Sequence, residues 1–492
     1  MASPTGNQTR QLFGTDGIRG VAGEYPLDRD TIYAIGRACG ARLVRRSPDA
    51  KVVLGQDTRE SSGWIAEAMA RGLRDAGCDF ASAGVLTTPG VAYLTRAHGF
   101  AGGVVISASH NPWQDNGIKL FGRNGMKLAD EIEYEVEAEI FAHIDQLADI
   151  THEEGSLMPE ILPGDARLRA DYEQWLAAQV AHGPQAQNPQ VAHICPPLAN
   201  VGNTQPTANM RALQQLRVLI DCANGAASAI APELFARMGI AAEALHTAPN
   251  GRNINDGCGA LHPEHVAAEM LRRPGQFDLG ITLDGDADRA LFCDARGNVV
   301  NGDAILLIAA LDMKARGRLA RDTVVATTMS NLGLEKALRA HGIRMLRADV
   351  GDKYVLEEML KTGATLGGEQ SGHVLFMDGD STTGDGLLTG LRVLEVVARS
   401  GQSLEELAAE FKVSPQQIRN VKVREKIPMS ELPTVAAAIR AAEEELDGNG
   451  RVLVRYSGTE KLARIMIEAE DGALMRKHVN AVAEALQEAI GI

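Results

Sequence analysis

Five short stretches of this chain crowd together side chains that can do chemistry. In ITLDGDADRALF, Ile281 to Phe292, the carboxylates Asp284, Asp286 and Asp288 alternate directly after an apolar run. On an extended backbone the three would point the same way. Three close negative charges are costly unless a cation neutralises them, and an all-oxygen set favours a hard ion such as Mg²⁺. A calcium loop of the EF-hand type is excluded, because its sixth position is Arg289 instead of Gly and its twelfth is Ala295 instead of Glu. An exposed acidic turn is the plain alternative.

RYSGTEKLAR gathers Arg455, Ser457, the Gly458 amide, Thr459 and Arg464 between two alternating runs. Guanidinium, hydroxyl and amide donors at this spacing can wrap a phosphate, although S-G-T also occurs in plain hairpin turns. In LGGEQSGHVLF, Glu369, Ser371 and His373 alternate in a glycine-rich loop suited to a ligand with many hydroxyls; a lone His beside Gly is also commonly structural. The loop lacks the G-x-S-x-G spacing of a nucleophile elbow. FGTDGIRG, Phe13 to Gly20, reads as a tight loop that carries backbone and Arg19 close to a ligand, or simply as a β-turn. Finally, GGVVISASHNP sets Ser109 and His110 at the end of an apolar strand, with the hydroxyl expected to be exposed. Adjacent side chains on extended backbone diverge, so these two alone make a poor hydrolase dyad. An N-cap ahead of Pro112 is the structural alternative. Ser109 can instead carry a phosphoryl group, with a cation nearby and Lys119 of DNGIK to help. The chain has no G-K-[ST] sequence, which excludes a Walker-type nucleotide phosphatase.

Such residues need elements to hold them. Lys51 to Phe80, Leu216 to Glu243 and Thr323 to Met345 each read as strand, polar loop, helix, glycine stop and next strand, with Gly77, Gly239 and Gly342 where helix C-caps belong. Their β-branched runs suit buried, largely parallel strands, so three α/β units of one design are expected. The last part departs from this plan. After the helix-like SLEELAAEF and a turn from Ser414 to Gln417, NVKVREKI alternates, a helix with the acidic run EEEL follows, and RVLVRYSG and ARIMIEAE alternate again. That is an α+β pattern from about Pro415, with the acidic run a solvated helix face. The stretch from His182 to Arg211, rich in Pro, Asn, Gln and Ala, reads as an exposed or disordered insertion and carries no assigned chemistry.

Composition bounds the partners. At 492 residues, with about 150 per domain as a guide, three or four domains are expected. Lys and Arg number 49 against 64 Asp and Glu, a net charge of −15 without a basic run, and aromatic residues make up 4%, so no nucleic-acid partner is expected. The six scattered cysteines form no C-x-x-C pair and read as small apolar residues of a reducing compartment. Neither a signal peptide nor an apolar run of roughly 18 residues stands in the sequence, so no membrane partner and a cytoplasmic location are expected.

Taken in order, FGTDGIRG, SASHNP with DNGIK, DGDADR, GEQSGH and RYSGTE span essentially the whole chain from Gln11 onward, and the set resembles the α-D-phosphohexomutase superfamily. FGTDGIRG and the Gln of GEQSGH are most similar to its bacterial branch acting on glucosamine phosphates. The resemblance implies an α/β fold of four domains around a central cleft: 1–165 with the phosphoserine loop, 166–303 with the metal loop, 304–414 with the sugar loop, and a smaller α+β domain, 415–492, with the phosphate loop. It implies that Ser109 is the phosphoserine and that Asp284, Asp286 and Asp288 hold Mg²⁺ together with an oxygen on Ser109. Glu369, Ser371 and His373 would meet the sugar, and Arg455, Ser457, Gly458, Thr459 and Arg464 the phosphate that is not transferred. Arg19, His110 and Lys119 would line the reacting centre, with Lys119 as acid or base and Arg289 as a supporting cation. The implied reaction interconverts glucosamine 6-phosphate and glucosamine 1-phosphate through glucosamine 1,6-bisphosphate, so the partner is a small sugar phosphate; a homodimer is compatible with it. Mutases of the same fold acting on mannose or glucose phosphates are the nearest alternative, and a metal-dependent sugar phosphatase a further one. Two positions depart from the superfamily's pattern: Lys461 stands where Pro is usual, and Lys353 of GDKY stands where Arg is commoner.

Overall fold

The computed structural model describes residues 11–14, 16–147, 162–181, 208–457 and 461–492. The expectations for Gly458, Thr459 and positions 182–207 of the insertion lie outside the described residues. The chain forms two compact units, Met1–Met329 with Met345–Ala409, and Ser330–Arg344 with Glu410–Ile492.

Three mixed sheets organise the first unit, with six, five and four strands. In the first sheet, Lys51–Gln56 pairs in parallel with Asp79–Val85 and with Gly102–Ile106, as a strand–helix–strand plan requires. Gly102–Ile106 then turns back antiparallel into Asp115–Gly122, so the SASHNP loop joins the two arms of a hairpin. No helix begins there, and the N-cap alternative is not realised: Ser109 stands in the left-handed region at φ 53°, which no N-cap adopts. In the second sheet Arg217–Asp221 lies parallel to Ala241–Leu245 and to Leu279–Leu283, and Leu279–Leu283 pairs antiparallel with Ala290–Asp294. The DGDAD loop is therefore the turn of a second hairpin, and it starts where a fully buried strand ends.

Each of the three expected strand–helix–strand segments forms: helices Ser62–Asp75, Ile230–Met238 and Leu332–Ala340 separate their strands. Gly77, Gly239 and Gly342 carry φ of 80°, 72° and 66°, the left-handed conformation that ends a helix without a Cβ clash. The third helix, Leu332–Ala340, falls within the second compact unit. Cys39, Cys78, Cys222, Cys258 and Cys293 are buried and unpaired.

In the second unit Gln416–Lys422 and Gly450–Tyr456 flank Leu462–Ala469 in an antiparallel sheet. Val421, Ile465 and Ile467 of that sheet pack with Val435, Val479 and Leu486 of helices Pro433–Leu446 and Gly472–Ile490. The first strand starts at Gln416, inside the segment expected to turn, and stops at Lys422 instead of running on through Ile427. Its length is set by its partner, since Gln416 pairs with Glu468 and Lys422 with Leu462. The acidic run Glu443–Glu445 is exposed on its helix.

Candidate active site

The SASHNP loop is held from beneath by one buried cation. Arg59, at the end of the first parallel strand's loop, donates to the carbonyls of Ser109 at 3.0 Å, Asn111 at 2.9 Å and Pro112 at 2.5 Å, and its Nε meets Asp57 at 2.8 Å. Asn255 adds donations to Ser109 O at 2.9 Å and Asn111 O at 3.3 Å. A guanidinium saturating three carbonyls fixes a loop that has no ladder of its own. Sequence reasoning missed Arg59 and Asp57, although two charged residues directly after a buried β-branched strand were a readable signal.

Ser109 is buried, 1% exposed, which corrects the expected exposed hydroxyl. Its Oγ donates to Asp284 Oδ2 at 2.6 Å across two sheets. His110 Nδ1 lies 3.4 Å from the same Oγ, so the expected divergence of the two side chains also fails: the left-handed backbone at Ser109 swings the neighbours together. Burial, then the nearby Arg289 and Arg19, push the His110 imidazole down to about 4, so at neutral pH it is an uncharged proton acceptor.

The three aspartates converge, but through a turn. Beyond Leu283 the backbone leaves the extended region, with Ala287 at φ 55°, and one oxygen from each of Asp284, Asp286 and Asp288 comes within 4.8 Å of the others. Gly285 makes the docking of this turn on the serine loop feasible: a Cβ there would stand 2.6 Å from Ser109 O. All three carboxylates are buried, and Oδ1 of Asp286 and of Asp288 accept no hydrogen bond. Burial, with Asp288 and Asp286 adjacent, raises the Asp284 carboxyl to about 8. Unsatisfied buried oxygens, mutual repulsion and an all-oxygen donor set are what a hard divalent cation relieves, so the residues fit Mg²⁺.

Lys119 is also buried, with Nζ 2.8 Å from Asp286, 3.3 Å from Asp288 and 3.0 Å from Asp16. Burial alone would lower its pKa, but Asp16, Asp286 and Asp288 outweigh that and hold the ammonium well above the usual lysine range. Held as an ammonium in this way, Lys119 stands in the site as a fixed cation. Arg19 pairs with Asp16 and donates to Asn111 Oδ1 at 3.3 Å. Arg289 stands beside Asp288, Nε to Oδ1 3.9 Å, and takes part in the same field.

An open cleft of about 380 Å³ brings together Asp16, Arg19, His110, Lys127, Asp288, Arg289, Asp352, Glu369 and His373. That volume lies within the usual range for small-molecule sites. Glu369 Oε1 accepts from the Gly351 amide at 3.1 Å, and Ser371 Oγ lies 3.4 Å from Glu369 Oε2. His373 is buried between Asp288, 3.7 Å from Nδ1, and Asp352, 3.5 Å from Nε2. Burial and the Gly384 amide at Nε2 oppose its protonated form, yet Asp352 and Asp288 raise its pKa against them. Lys127 and Asp352 were not picked out from the sequence, and Asp16 was read only as part of the FGTDGIRG loop. Lys353 pairs instead with Asp130 and, at 3.0 Å, Glu133 on helix Asp130–Leu147, so it is buried in an ion-pair cluster with its neighbours.

In the second unit, Arg455 and Arg464 are direct partners across the antiparallel ladder. Ser457 is 8% exposed, its amide donates to Leu462 O at 2.8 Å, and its carbonyl accepts from Lys426 Nζ at 2.6 Å. Lys461 is exposed and its carbonyl accepts from Val423 N at 3.0 Å, so that departure leaves the hairpin paired. No helix among the described residues is long and apolar enough to cross a membrane.

Four family models match consecutive parts of the chain: Phosphoglucomutase/phosphomannomutase, alpha/beta/alpha domain I over residues 10–146, domain II over 198–297, domain III over 301–413, and the C-terminal domain over 419–485. The chain is 63% identical over 494 residues to a phosphoglucosamine mutase of Koribacter versatilis, covering 100% of both. It is 47% identical to one of Solibacter usitatus, over 98% of this chain and 99% of the relative. Among solved structures, a phosphoglucomutase/phosphomannomutase family protein of Burkholderia thailandensis superposes with a TM-score of 0.73 at 24% identity, covering 97% of this chain and 99% of the other. The N-acetylphosphoglucosamine mutase of Aspergillus fumigatus, solved with GlcNAc-6P and magnesium, gives 0.60 at 19% identity, covering 97% and 96%.

Proposed function

This chain belongs to the phosphoglucosamine mutases of the phosphoglucomutase/phosphomannomutase family, and from that premise we propose how its cleft exchanges glucosamine 6-phosphate and glucosamine 1-phosphate. The enzyme is an isomerase. The observation that carries the site assignment is the Ser109 hydroxyl bonded at 2.6 Å to Asp284 within a buried acidic triad.

Ser109 carries the phosphoryl group and gives it to the sugar 1-hydroxyl: the P–O bond to serine breaks, a P–O bond to O1 forms, and the hydroxyl proton leaves to a base. His110, uncharged and beside Oγ, can take that proton and pass it to the serine oxygen as its bond to phosphorus breaks, while Lys119 keeps its own proton and its charge offsets the negative charge at the centre. Asp284, Asp286 and Asp288, with an oxygen on Ser109, would hold Mg²⁺, which when bound neutralises charge on the phosphoryl oxygens. The product of this half is glucosamine 1,6-bisphosphate. After it turns over in the cleft, Ser109 takes back the 6-phosphoryl group by the same steps reversed. Glu369 and Ser371 accept and donate to sugar hydroxyls, and Arg19 and Arg289 offset the phosphate charge at the centre. Arg455, Ser457 and Arg464, with Gly458 and Thr459, hold the phosphate that stays on the sugar. Burial of the serine excludes water, so that the phosphoserine is not lost to hydrolysis.

Ser109→Ala tests this scheme. It is expected to abolish mutase turnover, and intact-mass analysis is expected to show a phosphoryl group on the wild-type chain and none on the variant. Full activity in an unmodified chain would overturn the scheme. Release of inorganic phosphate without isomerisation would favour a phosphatase, and a strong preference for mannose or glucose phosphates the neighbouring mutase activity.

A further inference from the structure

Six charged or chargeable side chains close a ring along one wall of the cleft. Lys119 links Asp288 at 3.3 Å to Asp16 at 3.0 Å. Asp16 pairs next with Lys127, and Lys127 reaches Asp352 at 2.6 Å. His373 then joins Asp352, 3.5 Å away, back to Asp288, 3.7 Å away. The order alternates carboxylate and base throughout. Four of these members stand on loops or strands of the first and second sheets, whereas Asp352 and His373 come with the third.

Lys127 is the member whose chemistry the reaction does not explain. Its side chain is 10% exposed, yet it reaches the cleft wall with both Asp16 and Asp352 as partners. Asp16 is in turn the shared partner of Lys119 and Arg19. A plain buried ion pair needs one counter-charge; here one ammonium joins two carboxylates, of which Asp16 holds Lys119 and Arg19 of the reacting centre and Asp352 faces His373 of the sugar loop. Without it, Asp16 and Asp352 would be two partly buried anions facing each other, and they would separate or capture Lys119 and His373 in new positions.

We propose that Lys127 is a positioning residue: by bridging Asp16 and Asp352 it holds Lys119 and Arg19 at the reacting centre in register with His373 of the sugar loop, so that the phosphoryl group and the bound sugar meet. The inference rests on the mutase reading, since register matters only if both groups serve one transfer. Lys127 touches no reacting atom itself, so its removal acts on kcat through its partners and leaves sugar binding through Glu369 and Ser371 largely intact.

The test compares Lys127→Gln, Lys127→Arg and Asp352→Asn with wild type in steady-state turnover of glucosamine phosphates, with melting temperature measured for each. Lys127→Gln is expected to lower kcat by 10- to 100-fold with KM changed less than about 3-fold, and Lys127→Arg to recover most of the loss. The double variant Lys127→Gln with Asp352→Asn is expected to lose less than the product of the two single losses, because both remove the Lys127–Asp352 link, although Asp352→Asn also alters the contact with His373. Equal kcat in Lys127→Gln and wild type, a loss carried by KM alone, or additive losses in the double variant would overturn the proposal. A crystal structure of Lys127→Gln provides a readout independent of turnover. Displacement of Lys119 or His373 supports the bridge, and an unchanged pair refutes it. A wild-type enzyme inactive on every hexose phosphate would refute the mutase reading instead, and that crystal structure would still decide whether Lys127 sets the two positions.

Discussion

Gly384 has no side chain because His373 occupies the place one would need. A Cβ there would stand 2.3 Å from Nε2 and 2.7 Å from Cε1 of the buried imidazole. Gly384→Ala is therefore expected to push the ring away from Asp288 and Asp352 and to lower kcat by at least 10-fold, with the protein still folded by circular dichroism; unchanged turnover would show that the ring position is not critical. At this scale much of the site was readable. Ser109, the three aspartates, Glu369 and His373 could be named because their residue types are unusual after apolar runs. Their states could not, since whether Lys119 keeps its proton depends on three carboxylates from distant parts of the chain. His110 shows the same limit: local spacing argued that it diverges from Ser109, and one left-handed residue reversed that.

Elements were legible where the chain repeats a local rule. Three helices end at glycines read from the sequence as stops, because the left-handed C-terminal residue is a local demand. Strand ends were less legible, since Gln416–Lys422 takes its length from its partner. Helix Leu332–Ala340 illustrates what tertiary packing adds. Its N-cap residue, Asn331, donates to Ser414 O at 3.1 Å and Glu468 Oε1 at 3.0 Å, and accepts from Ser414 N at 2.8 Å. Asn331 thus joins the helix to the strand-rich part of the second unit. Asn331→Ala removes the cap and these buried bonds together, so a loss of about 2–4 kcal/mol is expected in denaturant unfolding. A loss below about 1 kcal/mol would mean that helix and sheet hold together without it.

For the whole molecule, pH exposes a buried acid. Asp385 caps helix Gly386–Ser400 and accepts from Tyr172 at 2.8 Å; burial raises its carboxyl to about 6 from an ordinary 3.8. A raised folded-state pKa means that the native state prefers the protonated form. Its stabilising contribution is present below about pH 4 and is lost as pH rises through 6. Asp385→Asn keeps an oxygen for the cap and cannot titrate. Relative to wild type its stability is expected to gain on the order of 2–3 kcal/mol between pH 4 and pH 6, measured by chemical denaturation at each pH. Parallel curves for the two proteins would contradict the assignment.

The sequence by itself determined the kinds of group available and the local devices: glycine stops, β-branched strands, the acidic triplet, and an order of motifs that pointed to one superfamily. These follow from short-range sterics and residue chemistry, which need no knowledge of what lies opposite. Only the tertiary structure decided which groups meet. Arg59 beneath the serine loop, Gly285 against Ser109, and Lys127 between Asp16 and Asp352 all join segments far apart in the chain. Coulombic and steric interactions act through a few ångströms of space, so their consequences appear only once the sheets have been brought together.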